Sequence, residues 1–153
     1  MTEPAWQPRG AWRTLVAPGW DRPGFGEVLE RLGFLLEKGA TPLAPPGRHR
    51  VDRLALPCGA ETLDAVVKTY GAQSAWRDRR AARIGSKAER AFRNALLLRA
   101  AGVGTPAPIA VAERWEGARL RESRFVAAYV PGLGNLRDEL DRLYAQAPRC
   151  APL

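Results

Sequence analysis

Cysteine is scarce in this chain of 153 residues: Cys58 and Cys150 are the only two, far apart and without further cysteines at metal-binding spacing. That excludes a disulfide-stapled fold and a cysteine zinc site, and both thiols are read as reduced bystanders. Histidine is scarcer, with His49 alone. No run of about 18 apolar residues occurs, so no helix is expected to span a bilayer. The opening stretch, MTEPAWQPRGAWRTLVAPGW, lacks a basic start followed by an apolar core. No secretory leader is therefore expected, and the expected location is cytoplasmic. There is no internal repeat and no low-complexity tract, which removes solenoid and array architectures.

What is present is the composition of one globular domain, 46% apolar and 26% charged, with 13 prolines and 15 glycines that indicate much turn. The net charge of +8 is unevenly spread. Residues 71–101 hold eight basic side chains (Arg77, Arg79, Arg80, Arg83, Lys87, Arg90, Arg93, Arg99) against two acidic ones, Asp78 and Glu89. Such a block favours anionic partners, whether nucleotide phosphates, nucleic acid or an acidic membrane surface. A solvated helix face is the plain alternative.

Periodicity places the elements. Residues 1–23, rich in Trp, Pro and Gly, read as an irregular arm. Val28, Leu29, Leu32, Leu35 and Leu36 recur at helical spacing and Lys38-Gly39 stops them, giving a short amphipathic helix. Three strands follow, at residues 40–44, 51–57 and 63–70, separated by turn-like PPGRHR and CGAET, an antiparallel meander. Residues 72–85 are basic and loosely helical. The helix after Gly85 is the best marked: Ser86 caps it, Glu89 completes S-x-x-E spacing, Ala88, Phe92, Ala95 and Leu96 share a face, and Gly102 ends it. Two strands, at 109–112 and 120–130, and a polar helix NLRDELDRLYAQ complete an α+β domain, an antiparallel sheet of about five strands with one packed amphipathic helix and short flanking helices.

One side chain is out of place in this scheme. In LDAVVKTYG (63–71), Lys68 interrupts an apolar strand, and a half-buried ammonium must reach water or find an anion. A lysine on a third strand, an amphipathic helix after it, and a fifth strand running into YVPG are together the outline of a kinase N-terminal lobe.

On VVKTYG (66–71), GSKAERAFRNALLLRAAGVGTPAPIAVAE (85–113) and SRFVAAYVPG (123–132), the chain resembles the lipopolysaccharide kinases, a branch of the protein-kinase-like fold that phosphorylates Kdo or heptose. The resemblance covers roughly residues 14–140. It implies a kinase-like N-lobe at 24–132, followed by a helix and a truncated tail at 133–153. By the same resemblance Lys68 is the ATP-phosphate lysine, and Ala128 to Val130 form the hinge that meets adenine through backbone groups. The turn at Gly47 stands where the phosphate-covering loop belongs, although it lacks a GxGxxG pattern, with Arg48 and Arg50 as candidate phosphate contacts. Glu89 is the default carboxylate partner of Lys68, and its S-x-x-E spacing gives an equal reading as a cap.

The family's chemistry needs more than this lobe. After the hinge it requires an aspartate that accepts the hydroxyl proton, an asparagine, and a further aspartate on Mg²⁺. His49 precedes Lys68, so no His-x-Asp loop follows the hinge, and Asp138 and Asp141 read as a solvated helix face. The expectation is an ATP-binding half that is inactive alone, with Mg²⁺ joining only if a C-lobe is supplied. The basic segment 77–93 would face anionic glycolipid or the inner-membrane surface. Two other classes stand beside this one: a nucleic-acid module using the same arginines with Trp76 and Phe92, and a pseudokinase-like interaction piece with an apolar docking patch near Leu133, Leu136, Leu140 and Leu143.

Overall fold

Side chains that alternate with period two along strands, and recur every three to four residues along helices, divide this chain into a sheet and the helices that cover it. The computed structural model describes residues 4–45, 47, 49–132, 141, 142 and 145. In chain order the elements are β1 (Trp6–Arg9), β2 (Trp12–Val16), α1 (Phe25–Glu30), α2 (Leu32–Gly39), β3 (Thr41–Pro42), β4 (Arg50–Cys58), β5 (Glu61–Tyr70), α3 (Ala75–Ile84), α4 (Lys87–Ala100), β6 (Pro108–Glu116) and β7 (Arg119–Ala128). All strands join one antiparallel sheet in the order β1-β2-β6-β7-β5-β4-β3. The fold class is α+β, as expected.

The sheet has seven strands where about five were expected, because the stretch read as an irregular arm is a hairpin. Gly10, at φ +57, makes its turn, and Pro8 is tolerated because β1 is an edge strand. What fastens the hairpin is far away in sequence. Arg13 pairs in register with Glu113 of β6 and donates to its Oε2 from Nε at 2.9 Å and from Nη2 at 2.6 Å, while the Trp115 indole donates to the same oxygen at 2.7 Å. Trp6 lies 4.3 Å from the Arg13 guanidinium carbon on one side and Trp115 lies 5.2 Å from it.

Other boundaries shift for local reasons. The first helix is two: the chain breaks at Arg31, whose amide still bonds back to Glu27, and resumes as α2. The strand expected at 40–44 shrinks to two residues, since Pro42 has no amide to extend a ladder. Residues 72–85 condense into α3, held at its root by Asp78, which is fully buried and accepts from Arg119 Nε of β7 at 2.6 Å. The expected helix over 135–146 and the Leu133, Leu136, Leu140 and Leu143 patch lie outside the described residues, save Asp141, Arg142 and Ala145, which are helical and exposed. Cys58 is a buried free thiol, and Cys150 lies outside the description.

The two faces of the sheet are covered by different helices. On one, Phe25, Leu29, Leu32 and Leu36 of α1 and α2 pack on Leu54, Leu56, Ala65, Val67 and Val126. On the other, Ala88 and Phe92 of α4 pack with Leu15 and Val111, flanked by Tyr70 and Phe125. Phe92 is wholly buried and is the largest apolar side chain that α4 contributes. Phe92→Ala should therefore lower the unfolding free energy by about 3–5 kcal/mol, read as a drop in the urea midpoint at unchanged slope.

Candidate functional site

β5 is paired along both edges, to β4 and to β7, so its alternate side chains are committed to opposite faces. Ala65 and Val67 enter the α1/α2 core, which leaves Val66, Lys68 and Tyr70 on the face shared with α4. Lys68 stands in register between Val51 of β4 and Phe125 of β7. Together with Leu43, Val66, Ala95, Thr105, Pro106 and the exit of β7 at 127–130, these residues line a cleft of about 330 Å³. Its walls are almost wholly apolar, and among the described lining residues Lys68 is the one charged group.

The ammonium of Lys68 lies 5.5 Å from the centre of the Tyr70 ring. No ion pair joins it to Glu89. The Glu89 carboxylate instead accepts from Arg93 Nε at 2.9 Å, one helical turn on, while its backbone N–H donates to Ser86 Oγ at 3.0 Å. Of the two readings of Glu89, the first-turn position with its Ser86 cap is in place, and the carboxylate has a helical partner of its own. Gly85 allows this arrangement: at φ +83 and ψ 153 it occupies a backbone region open to glycine, and a Cβ there would lie 2.8 Å from Glu89 Oε2.

Ala128 and Val130, the residues expected to form a hinge, both line the cleft, with Tyr129 between them. Two of the three hinge amides are already used, Ala128 N–H donating to Ala107 O and Tyr129 N–H to Asp64 O, each at 2.9 Å. Tyr129 stacks its ring 3.8 Å from the guanidinium of Arg53, which forms a two-pronged pair with Asp64. A ligand contact through the backbone N–H groups of 128–130, as the sequence leads one to expect, would therefore fall to Val130. Gly47 lies in the exposed β3–β4 connection and does not line the cleft. Arg50 is turned to the opposite side, 2.7 Å from the buried carboxylate of Asp52, and Arg48 lies outside the description.

Comparison of the chain with family models, curated proteins and solved structures gives no match. The chemistry of the cleft is read from its own residues.

Several lining groups were not singled out from the sequence. Val66 was accessible to inspection, since it precedes Lys68 by two and must share its face. Val51 follows once the β4–β5 turn is placed. Leu43 and Thr105 enter from connections, where no periodicity announces them. Thr105 is informative: its Oγ1 is buried with no hydrogen-bond partner, a polar group waiting in an apolar cleft. Beyond Lys68, Tyr70 also lines a smaller concavity of about 110 Å³ with His49, Gln73, Arg77 and Lys87, and the His49 and Tyr70 rings meet edge-on at 4.7 Å.

Burial pushes the Tyr70 phenol above its ordinary value, and the nearby positive charge of Arg90 offsets part of the rise. The sign follows from linkage: a phenol that holds its proton more tightly when folded adds stability that is complete below the unfolded value of about 10 and is lost as pH climbs through the folded one. Alkaline unfolding of the wild-type chain should therefore be steeper with pH than that of Tyr70→Phe, in urea titrations at successive pH values above 9.5, roughly the onset of phenol ionisation.

Proposed function

We propose that the cleft receives the base of an adenine nucleotide and that Lys68 holds its phosphates, making this chain the nucleotide-binding N-lobe of a lipopolysaccharide core-sugar kinase-like protein. The observation that carries the reading is the single cation, Lys68, at the border of an otherwise apolar cleft closed by the exit of β7 and by α4. A planar base buries its faces against Leu43, Val51, Val66 and Phe125. The orphan hydroxyl of Thr105 and the Val130 backbone offer polar contacts, and a point charge suits an α/β-phosphate. A volume of about 330 Å³ is at the small end for a drug-sized ligand but fits a base with its phosphates directed outward.

The connectivity supports the same reading. A three-strand meander bears the lysine on its third strand, α4 follows, and β7 returns to pair beside the lysine strand before the hinge. Exposed Leu97, Leu98 and Val103, at the end of α4 and just before Thr105, suit a surface on which a second lobe would rest.

In the proposed family the reaction is transfer of the ATP γ-phosphate to a Kdo or heptose hydroxyl. Among the described residues no group of His, Cys, Asp or Glu could hold a metal ion, so the Mg²⁺ of that reaction finds no ligands among them. The part assigned to this lobe is binding and orientation. Lys68 supplies charge against the phosphates, and Glu89 would have to exchange Arg93 for Lys68 to orient it.

Chemical acylation with mass-spectrometric readout tests this directly. ATP should protect Lys68 and leave the exposed Lys38 reactive, and Lys68→Met should weaken nucleotide binding by about tenfold or more, the loss of one charge-assisted phosphate contact. Equal labelling of Lys68 with and without ATP would remove the proposal. The chain alone is expected to transfer no phosphate to a core sugar, and measurable turnover would show that it holds the missing groups.

A further inference from the structure

The ten residues of α3 carry four arginines, and their surroundings differ from those of the arginines that hold the sheet together. Arg13, Arg22, Arg50, Arg53, Arg119 and Arg121 each face a carboxylate. Arg77, Arg79, Arg80 and Arg83 face none among the described residues, and all four are exposed. The one acid of the helix, Asp78, is withdrawn from the surface to pair with Arg119, so the outer face of α3 is purely cationic. A merely solvated helix face mixes both signs.

Two apolar side chains share that face. Trp76 is 66% exposed and Ile84 is 50% exposed, one at each end of α3. They frame a shallow concavity lined by Arg79, Arg80 and Arg83. Beside it, Arg77, Arg80, Lys87 and Arg90 line a second hollow of about 220 Å³ between α3 and the start of α4.

We propose that the outer face of α3, with the first turn of α4, is a contact surface for an anionic lipid bilayer. Trp76 and Ile84 enter the interfacial layer, the guanidiniums lie at phosphate depth, and the hollow beside Arg90 takes a head-group phosphate. Nucleic acid would satisfy the arginines equally well, but it has no use for an exposed isoleucine, and stacking needs π faces. Phe92, the second aromatic of this segment, is wholly buried in the core, so Trp76 alone could stack. A bilayer interface accommodates both apolar residues and all the cations. The contact proposed is a peripheral one, and no helix among the described residues is long and apolar enough to cross a membrane. It stands independently of the nucleotide cleft.

Sedimentation of the chain with vesicles tests it. Vesicles of phosphatidylcholine mixed equally with phosphatidylglycerol should bind, pure phosphatidylcholine vesicles far less, and binding should fall as salt rises from about 0.05 M to about 0.5 M. Arg79→Gln, Arg80→Gln and Arg83→Gln together should lower partitioning on the order of 100-fold while ATP still protects Lys68. Trp76→Ser, which leaves the charge unchanged, should lower it by about tenfold, an effect that simple charge attraction does not produce. Because all four side chains are exposed, the variants should keep the wild-type circular dichroism and melting temperature, and Arg83→Glu alone gives a second variant should the triple one not fold. Failure to bind the mixed vesicles, vesicle binding unchanged in the arginine variants, or tighter binding to random duplex DNA at equal phosphate concentration would each overturn the proposal.

Discussion

Everything on the α4 face depends on β5 being hydrogen-bonded along both edges. An edge strand can slip or bulge, but β5 is locked between β4 and β7 over a shared register in which Val51, Lys68 and Phe125 lie abreast. A slip of one residue would drive the Lys68 ammonium into the α1/α2 core and bring Ala65 and Val67 out. The cost of an unpaired buried charge makes that register unavailable. The lysine that looked misplaced in the sequence thus helps to fix the strand that presents it, and the same alternation places Val66 and Tyr70 beside it.

The second constraint is the entry to α4. Gly85 adopts a backbone conformation that other residues avoid, Ser86 caps the helix, and Phe92 anchors it one and a half turns later. Because that entry is rigid, Ala95 arrives at the cleft from α4, and the Arg99 guanidinium, at the helix end, donates to Thr105 O at 2.8 Å and holds the segment that lines the opposite wall. Glu89 lies in the first turn and is taken up by Arg93. For Glu89 to orient Lys68 as the proposed function requires, its i,i+4 pair with Arg93 must open, and because the Glu89 carboxylate is largely buried that exchange costs more than it would between two residues on a helix surface.

How much was legible in the sequence depends on distance along the chain. The meander, the capped helix at Ser86 and the last two strands came through because alternation, S-x-x-E spacing and glycine stops are local signals. The N-terminal hairpin did not, because what makes it a hairpin is Glu113, 100 residues from Arg13. Tryptophan and proline there suggested irregularity, whereas Trp6 serves as a wall for Arg13. At the site, Lys68 was conspicuous and Val66 deducible. The Arg93 that pairs with Glu89 stands four residues downstream, but the sequence alone does not tell a helical ion pair from a partner for Lys68. Leu43 and Thr105 had no signal, since connections acquire their positions only from the sheet they join.

The distribution of charge completes the account of a chain that is +8 overall. Within the sheet, two carboxylates are fully buried, each with its cation within 2.7 Å: Glu113 meets Arg13 of the neighbouring strand β2, and Asp52 meets Arg50 on its own strand β4. Such pairs are retained where register must be held, because breaking one leaves a buried charge uncompensated. Asp78 belongs to this set although it stands on a helix, for it ties α3 to β7 through Arg119. With the only acid of α3 committed to that internal contact, the outer arginines face no carboxylate among the described residues. The cationic surface is therefore a consequence of how the helix is anchored, and it separates two electrostatic regimes in one small fold: strands whose carboxylates each meet an arginine, and a helix whose arginines remain available to an external anion.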